Sequence, residues 1–210
     1  MFHKLQYISQ GDTVEIQRYN IQRALDNGSD WIQLRFKNGN LHDDFVLAET
    51  VKILCEEYHA TFIINDKVYL TQEVDADGVH LGLTDMKVKE ARKILGNRKI
   101  IGGSANTLED VLQRIEENCD YIGLGPFRFT TTKEALSPIL GLEGYQNILN
   151  KIPEQFSNLP IYAIGGIQLE DISDLLKTGL HGVAVSGIIT HQPQLIAQLN
   201  EKLYQCHLLK

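Results

Sequence analysis

Residues 159–188, LPIYAIGGIQLEDISDLLKTGLHGVAVSGI, contain one full copy of the pattern that decides the fold. An apolar run that ends in Gly165 and Gly166 is followed by an amphipathic segment, QLEDISDLLKTG, and then by a second apolar run, GVAVSGI. Near-continuous apolar runs are typical of parallel strands that are buried on both faces. The stretch therefore predicts a strand–helix–strand unit, with Gly179 at the end of the helix.

The same alternation extends over the whole chain. Segments with helical spacing of apolar residues, such as 14–26 and 43–58, separate eight apolar runs. The strand candidates are KLQYIS, WIQLRF, TFIIND, DGVHLG, KIIGGSA, YIGLGP, LPIYAIGG and GVAVSGI. Eight units without a linker or a break in composition predict a single-domain (β/α)8 TIM barrel, an α/β fold, over residues 1–210. A doubly wound open sheet shares the alternation and is the alternative.

Composition argues against several classes of protein. Hydrophobic residues make up 43% of the chain, as in a globular protein, and no apolar run reaches the roughly 18 residues of a membrane span. The net charge of −7 argues against a general nucleic-acid binder. The first residues, MFHKLQYISQ, lack the pattern of a signal peptide, and Cys55, Cys119 and Cys206 lack metal-site spacing. These features predict a cytoplasmic protein without a membrane or nucleic-acid partner.

Polar side chains collect at the predicted carboxyl ends of the strands, where the active sites of barrels lie. In QLRFK, Gln33, Arg35 and Lys37 share one face of the strand, as they also would in a solvated edge strand. Asp66 and Asp85 follow neighbouring strands and are candidate Mg2+ ligands. The alternative roles are helix capping for both residues and a structural salt bridge for Asp66. Two cations in a barrel would be costly without an anion, so these strand ends predict an anionic ligand.

The other strand ends offer donors for anions. Ser104 lies near the end of the fifth strand, and residues 130–133, TTTK, follow the sixth. Gly166 and Ser186 lie in turns after the last two strands, where barrels often bind phosphate, although tight turns alone also use glycine. A metal-bound anion opposite a second phosphate suits departure of a diphosphate group better than hydrolysis.

Two further local patterns say less about function. His80, in the fourth strand, is either a core histidine with satisfied hydrogen bonds or a side chain that points into the barrel. Asn106, with Glu109 three positions on, predicts a capping box at the start of a helix. No Ser-His-Asp, Cys-His or HExxH pattern supports nucleophilic hydrolysis or zinc chemistry.

An ordered series of motifs resembles the thiamine phosphate synthase family over nearly the whole chain. QLRFK is similar to that family's Q-L-R-E-K, IIND to its I-N-D, and DADGVHLGLTD to its A-D-G-V-H-x-G-Q-x-D. GLGPFRFTTTK is similar to its G-x-G-P-x-x-x-T-x-T-K, and IGGI and VAVSGI complete the series. Phe36, Lys67 and Leu83 depart from the family's usual Glu, Asp and Gln.

The resemblance implies a homodimeric barrel transferase of thiamine biosynthesis that uses Mg2+. It would join hydroxymethylpyrimidine diphosphate to hydroxyethylthiazole phosphate and release thiamine phosphate and diphosphate. Lys133, Arg35 and Ser104 are implied as catalytic, and Asp66 and Asp85 as metal ligands. The implied pyrimidine diphosphate site consists of Gln33, Leu34, Arg35, Phe36, Lys37, Asn65, Ser104 and Lys133. The implied thiazole phosphate site consists of Thr130, Thr131, Thr132, Gly166, Val185 and Ser186.

Two other functions fit part of the pattern. The related thiazole tautomerase shares the barrel but relies on a histidine after the fifth strand, where this chain has Asn106. That enzyme also lacks the T-x-T-K loop and the metal carboxylates. A non-catalytic barrel that binds a phosphorylated ligand would need neither Asp66 nor Asp85. The sequence therefore favours the synthase.

Overall fold

A computed structural model describes residues 2–129 and 138–205 of the chain. Over these ranges, eight parallel strands pair in chain order and close into a barrel. The strands are β1 Leu5–Ile8, β2 Trp31–Leu34, β3 Thr61–Asn65, β4 Gly78–Leu81, β5 Ile100–Ala105, β6 Tyr121–Leu124, β7 Ile161–Ile164 and β8 Gly182–Val185.

Helices follow the strands and cover the outside of the barrel. They are α1 Val14–Asp26, α2 Leu41–Glu57, α3 Val68–Glu73, α4 Val88–Leu95, α5 Leu108–Glu116, α6 Gly141–Leu149, α7 Ile172–Lys177, α8 Gly187–His191 and α9 Ile196–Gln205. Short 3-10 turns occupy Glu154–Phe156, Leu169–Asp171 and Pro193–Leu195. None of the helices in the described ranges has both the length and the apolar character needed to cross a bilayer.

The closed barrel confirms the predicted fold class against the open-sheet alternative. β1 pairs with β8, with Leu5 opposite Val183 and Tyr7 opposite Val185. A doubly wound sheet would leave β1 and β8 apart, at positions without this pairing. That residues 1–210 as a whole form one catalytic domain stays a prediction.

Two apolar cores lie on the two sides of the strands. The larger one fills the space between strands and helices and includes Leu34, Phe62 and Val185. The smaller one fills the inside of the barrel with Ile8, Trp31, Ile63, Tyr121, Tyr162 and Ala184, with Phe2 packed against it. Trp31 meets Tyr121 and Tyr162 edge-to-face, with ring centroids 5.0 and 5.1 Å apart. Because both cores are apolar, a polar ligand is better accommodated toward the carboxyl ends of the strands, where polar side chains collect.

β8 begins at a glycine because the neighbouring strand comes too close for a side chain. A Cβ on Gly182 would lie 2.0 Å from the carbonyl oxygen of Lys4. The next amide, Val183 N, donates to that same oxygen at 2.9 Å, which fixes the position of the β1 backbone. Gly182 therefore allows the barrel to close.

The helix boundaries agree with the sequence in part. α1 matches the predicted 14–26 residue for residue, whereas α2 begins at Leu41, two residues before the predicted start. The predicted capping box at Asn106 and Glu109 is wrong, because Thr107 and Asp110 form it one residue later. Asn106 instead donates its amide to Gly125 O.

Candidate active site

A buried pair of side-chain amides lies at the bottom of the barrel mouth, the opening at the carboxyl ends of the strands. Gln33, in β2, donates from Nε2 to Oδ1 of Asn65, the last residue of β3, at 2.8 Å. The Gln33 side chain is buried, and its Oε1 accepts no hydrogen bond from any described residue. A buried acceptor without a donor is costly unless a ligand or water supplies one. The pair therefore offers an acceptor to a ligand that carries an N–H group.

Arg35 and Lys37 continue from β2 onto the rim, as the alternation in QLRFK predicts. Arg35 is anchored by its backbone, because its amide donates to Ser9 Oγ at 3.0 Å and its carbonyl accepts from Gln17 Nε2 at 2.9 Å. Burial lowers the pKa of the Arg35 guanidinium, and the nearby charge of Asp66 opposes that change. An arginine remains cationic under these conditions, so the rim carries fixed positive charge.

The two residues between these polar positions face the other way. Leu34 and Phe36 are buried in the core between the strands and the helices. Their side chains therefore lie outside the mouth, and any contribution to the implied pyrimidine site is left to their backbone groups. This placement explains why Phe36 can stand where the family usually has Glu.

Lys67, another departure from the family pattern, forms an ion pair below the rim. Its Nζ lies 2.5 Å from Asp44 Oδ1, and the Asp44 side chain is 8% exposed. The same Nζ donates to Phe36 O at 3.3 Å. Lys67 thus joins the segment after β3 to the segment after β2, and its charge is paired with Asp44.

Asp66 and Asp85 form the pair of carboxyl groups that the sequence predicts, and neither caps a helix. α3 begins after Lys67 and α4 after Lys87, and neither helix has a side-chain cap there. Asp85 Oδ2 instead accepts from Gly82 N at 2.6 Å. The backbone of Asp66 has a φ of 65°, a left-handed conformation that is uncommon outside glycine. The capping alternative is therefore wrong for both residues.

The electrostatics of this pair favour a cation. Partial burial, a hydrogen bond to Asp85 and the negative charge of Asp85 raise the pKa of Asp66 to about 7. Two carboxylates held this close cannot both ionise cheaply until positive charge arrives. Mg2+ suits such a pair, because it commonly takes one or two carboxylates and completes its shell with water and substrate phosphates. Within residues 2–129 and 138–205, no third His, Cys, Asp or Glu joins them.

The turns after β7 and β8 present backbone groups to the rim. Gly165 and Gly166 have φ values of 93° and 67°, which an L side chain rarely adopts. Ser186 donates its hydroxyl to Ile8 O at 2.6 Å, so its backbone amide is the group left to meet a ligand. Val185 is buried in the outer core, and it too can contribute only backbone atoms.

An arginine that the sequence did not single out joins the loop after β6 to the glycine turn. Arg128 forms a two-pronged ion pair with Asp171, with Nη2 donating to Oδ1 at 2.5 Å, and it donates from Nη1 to Gly166 O at 3.0 Å. Asp171 Oδ2 also accepts from Gln168 N at 2.8 Å. Burial alone would raise the pKa of Asp171, but these hydrogen bonds bring it below its ordinary value.

The loop that follows Arg128 lies outside the described residues. Thr130, Thr131, Thr132 and Lys133 belong to it, so their predicted roles stay predictions. The described residues on either side are joined, because Leu140 N donates to Pro126 O at 2.9 Å and Gly141 N to Phe127 O at 3.2 Å. The two ends of the loop therefore meet beside the glycine turn.

His80 points into the barrel and has both ring nitrogens in hydrogen bonds. Nδ1 lies 3.0 Å from Tyr121 OH, and Nε2 lies 3.0 Å from Ser104 Oγ. His80 is therefore both a core histidine with satisfied hydrogen bonds and a side chain that points into the barrel. Ser104, a predicted site residue, is reached from below by this histidine, a contact that no spacing in the sequence indicates.

A closed (β/α)8 barrel with polar and charged side chains gathered at the carboxyl ends of its strands defines a barrel enzyme. Comparisons with known proteins narrow this class. A family model described as thiamine monophosphate synthase matches residues 8–189. The chain belongs to this family and is a transferase enzyme.

Individual relatives agree with the family match. The thiamine-phosphate synthase of Flavobacterium johnsoniae is 62% identical over 207 residues, which cover 97% of this chain and 98% of the relative. That of Flavobacterium psychrophilum is 62% identical over 206 residues, covering 97% and 100%. The solved thiamine phosphate pyrophosphorylase of Pyrococcus furiosus superposes with a TM-score of 0.80 at 31% identity, covering 99% of this chain and 97% of that one.

Proposed function

We propose that this chain condenses 4-amino-2-methyl-5-(diphosphooxymethyl)pyrimidine with 4-methyl-5-(2-phosphooxyethyl)thiazole to give thiamine phosphate and diphosphate. The observation that carries the proposal is the buried Gln33 acceptor without a donor, next to the Asp66 and Asp85 carboxyl pair. An aminopyrimidine supplies the missing N–H group, and its diphosphate reaches the rim.

The pyrimidine diphosphate would lie along β2, β3 and β5. Gln33 and Asn65 would bind the ring, while Arg35, Lys37, Ser104 and Lys133 would bind the diphosphate. Asp66 and Asp85 would hold Mg2+, which when bound would neutralise part of the charge that develops on the leaving group. The cationic side chains at the rim act in the same direction, since they lie where that charge develops.

The reaction would proceed by departure of the diphosphate before the new bond forms. The carbon–oxygen bond breaks with its electron pair going to the diphosphate oxygen, which leaves a methylene carbocation conjugated with the pyrimidine. The lone pair of the thiazole nitrogen then forms the carbon–nitrogen bond. Arg35, Ser104 and Lys133 would stabilise the departing anion, and no residue needs to act as a nucleophile.

The thiazole phosphate would lie across the mouth, on the turns after β7 and β8. Gly166, Val185 and Ser186 would offer backbone amides, and Thr130, Thr131 and Thr132 hydroxyls. The glycine conformations at 165 and 166 support this assignment, because they turn the backbone without a side chain in the way. We further propose that the protein is a cytoplasmic homodimer, as the resemblance to the family implies.

Two alternatives remain distinct from this proposal. A thiazole tautomerase would need a base where Asn106 stands, and the Asn106 amide instead donates to Gly125 O. A non-catalytic barrel would bind a phosphorylated ligand without using a carboxyl pair whose proximity costs stability. Both alternatives predict that no carbon–nitrogen bond forms between the two heterocycles.

The test is an assay of the purified chain with both phosphorylated heterocycles and Mg2+. We expect thiamine phosphate and diphosphate in equal amounts, and little product when Mg2+ is replaced by EDTA. Gln33→Met should raise KM for the pyrimidine substrate about tenfold or more and leave KM for the thiazole substrate unchanged, because a hydrogen-bonded ring loses its partner. Gln146→Met, on the exposed side of α6, is the matched control. Binding of either ligand without product would contradict the proposal.

A further inference from the structure

Four side chains form a continuous hydrogen-bonded row through the inside of the barrel. Gln6 Nε2 donates to Tyr121 OH at 3.1 Å, Tyr121 OH lies 3.0 Å from His80 Nδ1, and His80 Nε2 lies 3.0 Å from Ser104 Oγ. The row starts in the buried interior, where Tyr121 is 0% and Gln6 1% exposed, and ends at the mouth with Ser104. The residues come from β1, β6, β4 and β5.

The protons in this row can be assigned by counting donors and acceptors. The Gln6 amide nitrogen can only donate, so it occupies one acceptor position of the Tyr121 oxygen. Tyr121 keeps its proton, because burial raises the pKa of its hydroxyl. Among the described residues, the acceptor within reach of that proton is His80 Nδ1. An unpaired buried hydroxyl proton would be costly, so the Tyr121 hydroxyl donates to Nδ1.

The direction of the first hydrogen bonds determines the last one. With Nδ1 as an acceptor, the neutral imidazole carries its proton on Nε2. Nε2 then donates to Ser104 Oγ, and the proton of the Ser104 hydroxyl is left to point elsewhere. Because the row ends at the mouth, a ligand bound there could accept this proton. The reverse direction would turn a lone pair of Ser104 toward an anion and repel it.

We propose that His80 and Tyr121 are positioning residues that orient the Ser104 hydroxyl as a hydrogen-bond donor to an anionic oxygen of the ligand. The identity of that oxygen, a diphosphate oxygen, rests on the proposed function. The orientation itself rests on the four side chains alone. Neither His80 nor Tyr121 touches the ligand in this arrangement, and both act through Ser104.

The first test reads the histidine tautomer directly. Long-range proton–nitrogen correlation spectra of the 15N-labelled full chain near pH 7 should show His80 with its proton on Nε2, assigned by the loss of its signals in His80→Gln. Tyr121→Phe removes the donor to Nδ1 and should shift His80 to a mixture of tautomers. Tyr162→Phe, which removes a hydroxyl of the same aromatic layer that donates to His3 O, should leave His80 unchanged. A proton on Nδ1 in the unmodified chain would overturn the inference.

The second test measures the affinity for inorganic diphosphate in the presence of Mg2+ by calorimetry. Ser104→Ala should weaken binding about tenfold, because a hydrogen bond to a charged group is lost. As a single substitution, Tyr121→Phe should weaken diphosphate binding about threefold. In the Ser104→Ala background the same substitution should have almost no effect. Thermal unfolding of each variant checks that the barrel remains folded.

The outcomes of these tests separate the inference from the proposed function. Independent, additive effects of Tyr121→Phe and Ser104→Ala would overturn the positioning role. A correct tautomer and a non-additive cycle in a chain that makes no thiamine phosphate would preserve the positioning role and remove the proposed reaction. Failure of the unmodified chain to bind diphosphate would count against both.

Discussion

Asp66 is the residue at which local stability and proposed function are most clearly opposed. Its backbone has a positive φ, and its carboxyl lies against that of Asp85. Strained backbone and close like charges persist only where the surrounding structure imposes them, and they concentrate at functional sites. Removing the charge of Asp66 should therefore make the metal-free protein more stable while damaging the proposed metal site.

We expect Asp66→Asn to unfold at a higher temperature than the unmodified chain above pH 7 without Mg2+. Because the pKa of the folded state, about 7, lies above the ordinary 3.8, the stability that the neutral carboxyl provides is complete below 3.8 and is lost as pH rises through 7. The Asp66 carboxyl is partly buried, but the residue as a whole keeps a large exposed surface, so solvent screening reduces the gain to about 1 kcal/mol.

Thermal melts at pH 4.5 and pH 8 measure this effect. The difference between variant and unmodified chain should be larger at pH 8, and addition of Mg2+ should stabilise the unmodified chain alone. Glu49→Gln, on the exposed face of α2, removes the same charge and serves as the control. An equal difference at both pH values would show that the carboxyl pair does not destabilise the fold.

At the scale of elements, the ion pair of Arg128 and Asp171 joins three segments that surround the proposed thiazole phosphate site. Arg128 belongs to the loop after β6, its guanidinium donates to the carbonyl of the glycine turn after β7, and Asp171 precedes α7. The Asp171 side chain is 9% exposed, so the pair is partly shielded from water and worth more than an exposed one.

We expect Arg128→Met to raise KM for the thiazole substrate about threefold to tenfold and to leave KM for the pyrimidine substrate unchanged, because the glycine turn loses one of its supports. Stability should fall by about 1 kcal/mol. Lys177→Met breaks the exposed Lys177–Asp174 pair on α7 and is the matched control, with little expected effect. Steady-state kinetics with each substrate varied in turn will show whether the two KM values separate.

A double-mutant cycle then tests the partnership itself. Asp171→Asn and Arg128→Met should together cost less than the sum of the single changes, since each removes the same contact. Additive losses would mean that the two residues support the turn independently.

The elements and the mouth residues were predictable from sequence for a common reason. Apolar runs and helical spacing report burial, and a side chain such as Gln33 or Arg35 is placed by alternation once its strand is known. Arg128–Asp171, His80–Tyr121 and Gln6–Tyr121 join residues 43, 41 and 115 positions apart. Such contacts depend on the radius and register of the closed barrel, which local patterns do not encode.

Some predictions of short-range contacts were wrong for a different reason. Thr107 takes the place of the predicted cap Asn106 because the Asn106 side chain donates to Gly125 O, just after β6, so a tertiary contact overrides the local preference. Asp85 has the residue type of a cap, but its carboxyl accepts from Gly82 N within the preceding turn. Capping residues also suit turns, so residue type alone does not distinguish these roles.

At the scale of the whole molecule, stability depends on closure between the first and last strands. We expect Gly182→Ala to lower the free energy of unfolding by about 3 kcal/mol, because the added methyl group would overlap the carbonyl of Lys4 and push β1 from β8. Gly187→Ala is the control, since a Cβ there meets nothing closer than 4.0 Å. Urea unfolding of both variants measures the difference, and equal stabilities would contradict the closure argument.

The aromatic layer of Phe2, Trp31, Tyr121 and Tyr162 fills the amino end of the barrel and leaves the carboxyl end as the way in and out. On the proposed assignment, the pyrimidine ring lies deep, on Gln33, and the thiazole phosphate lies at the rim. Both substrates would then enter through the carboxyl end of the barrel. The pyrimidine substrate, which lies deeper, would have to bind before the thiazole substrate. Thiamine phosphate contains the same pyrimidine ring, so it would be held at the deep position after the reaction. Each turnover would therefore have a compulsory order, in which diphosphate leaves before thiamine phosphate.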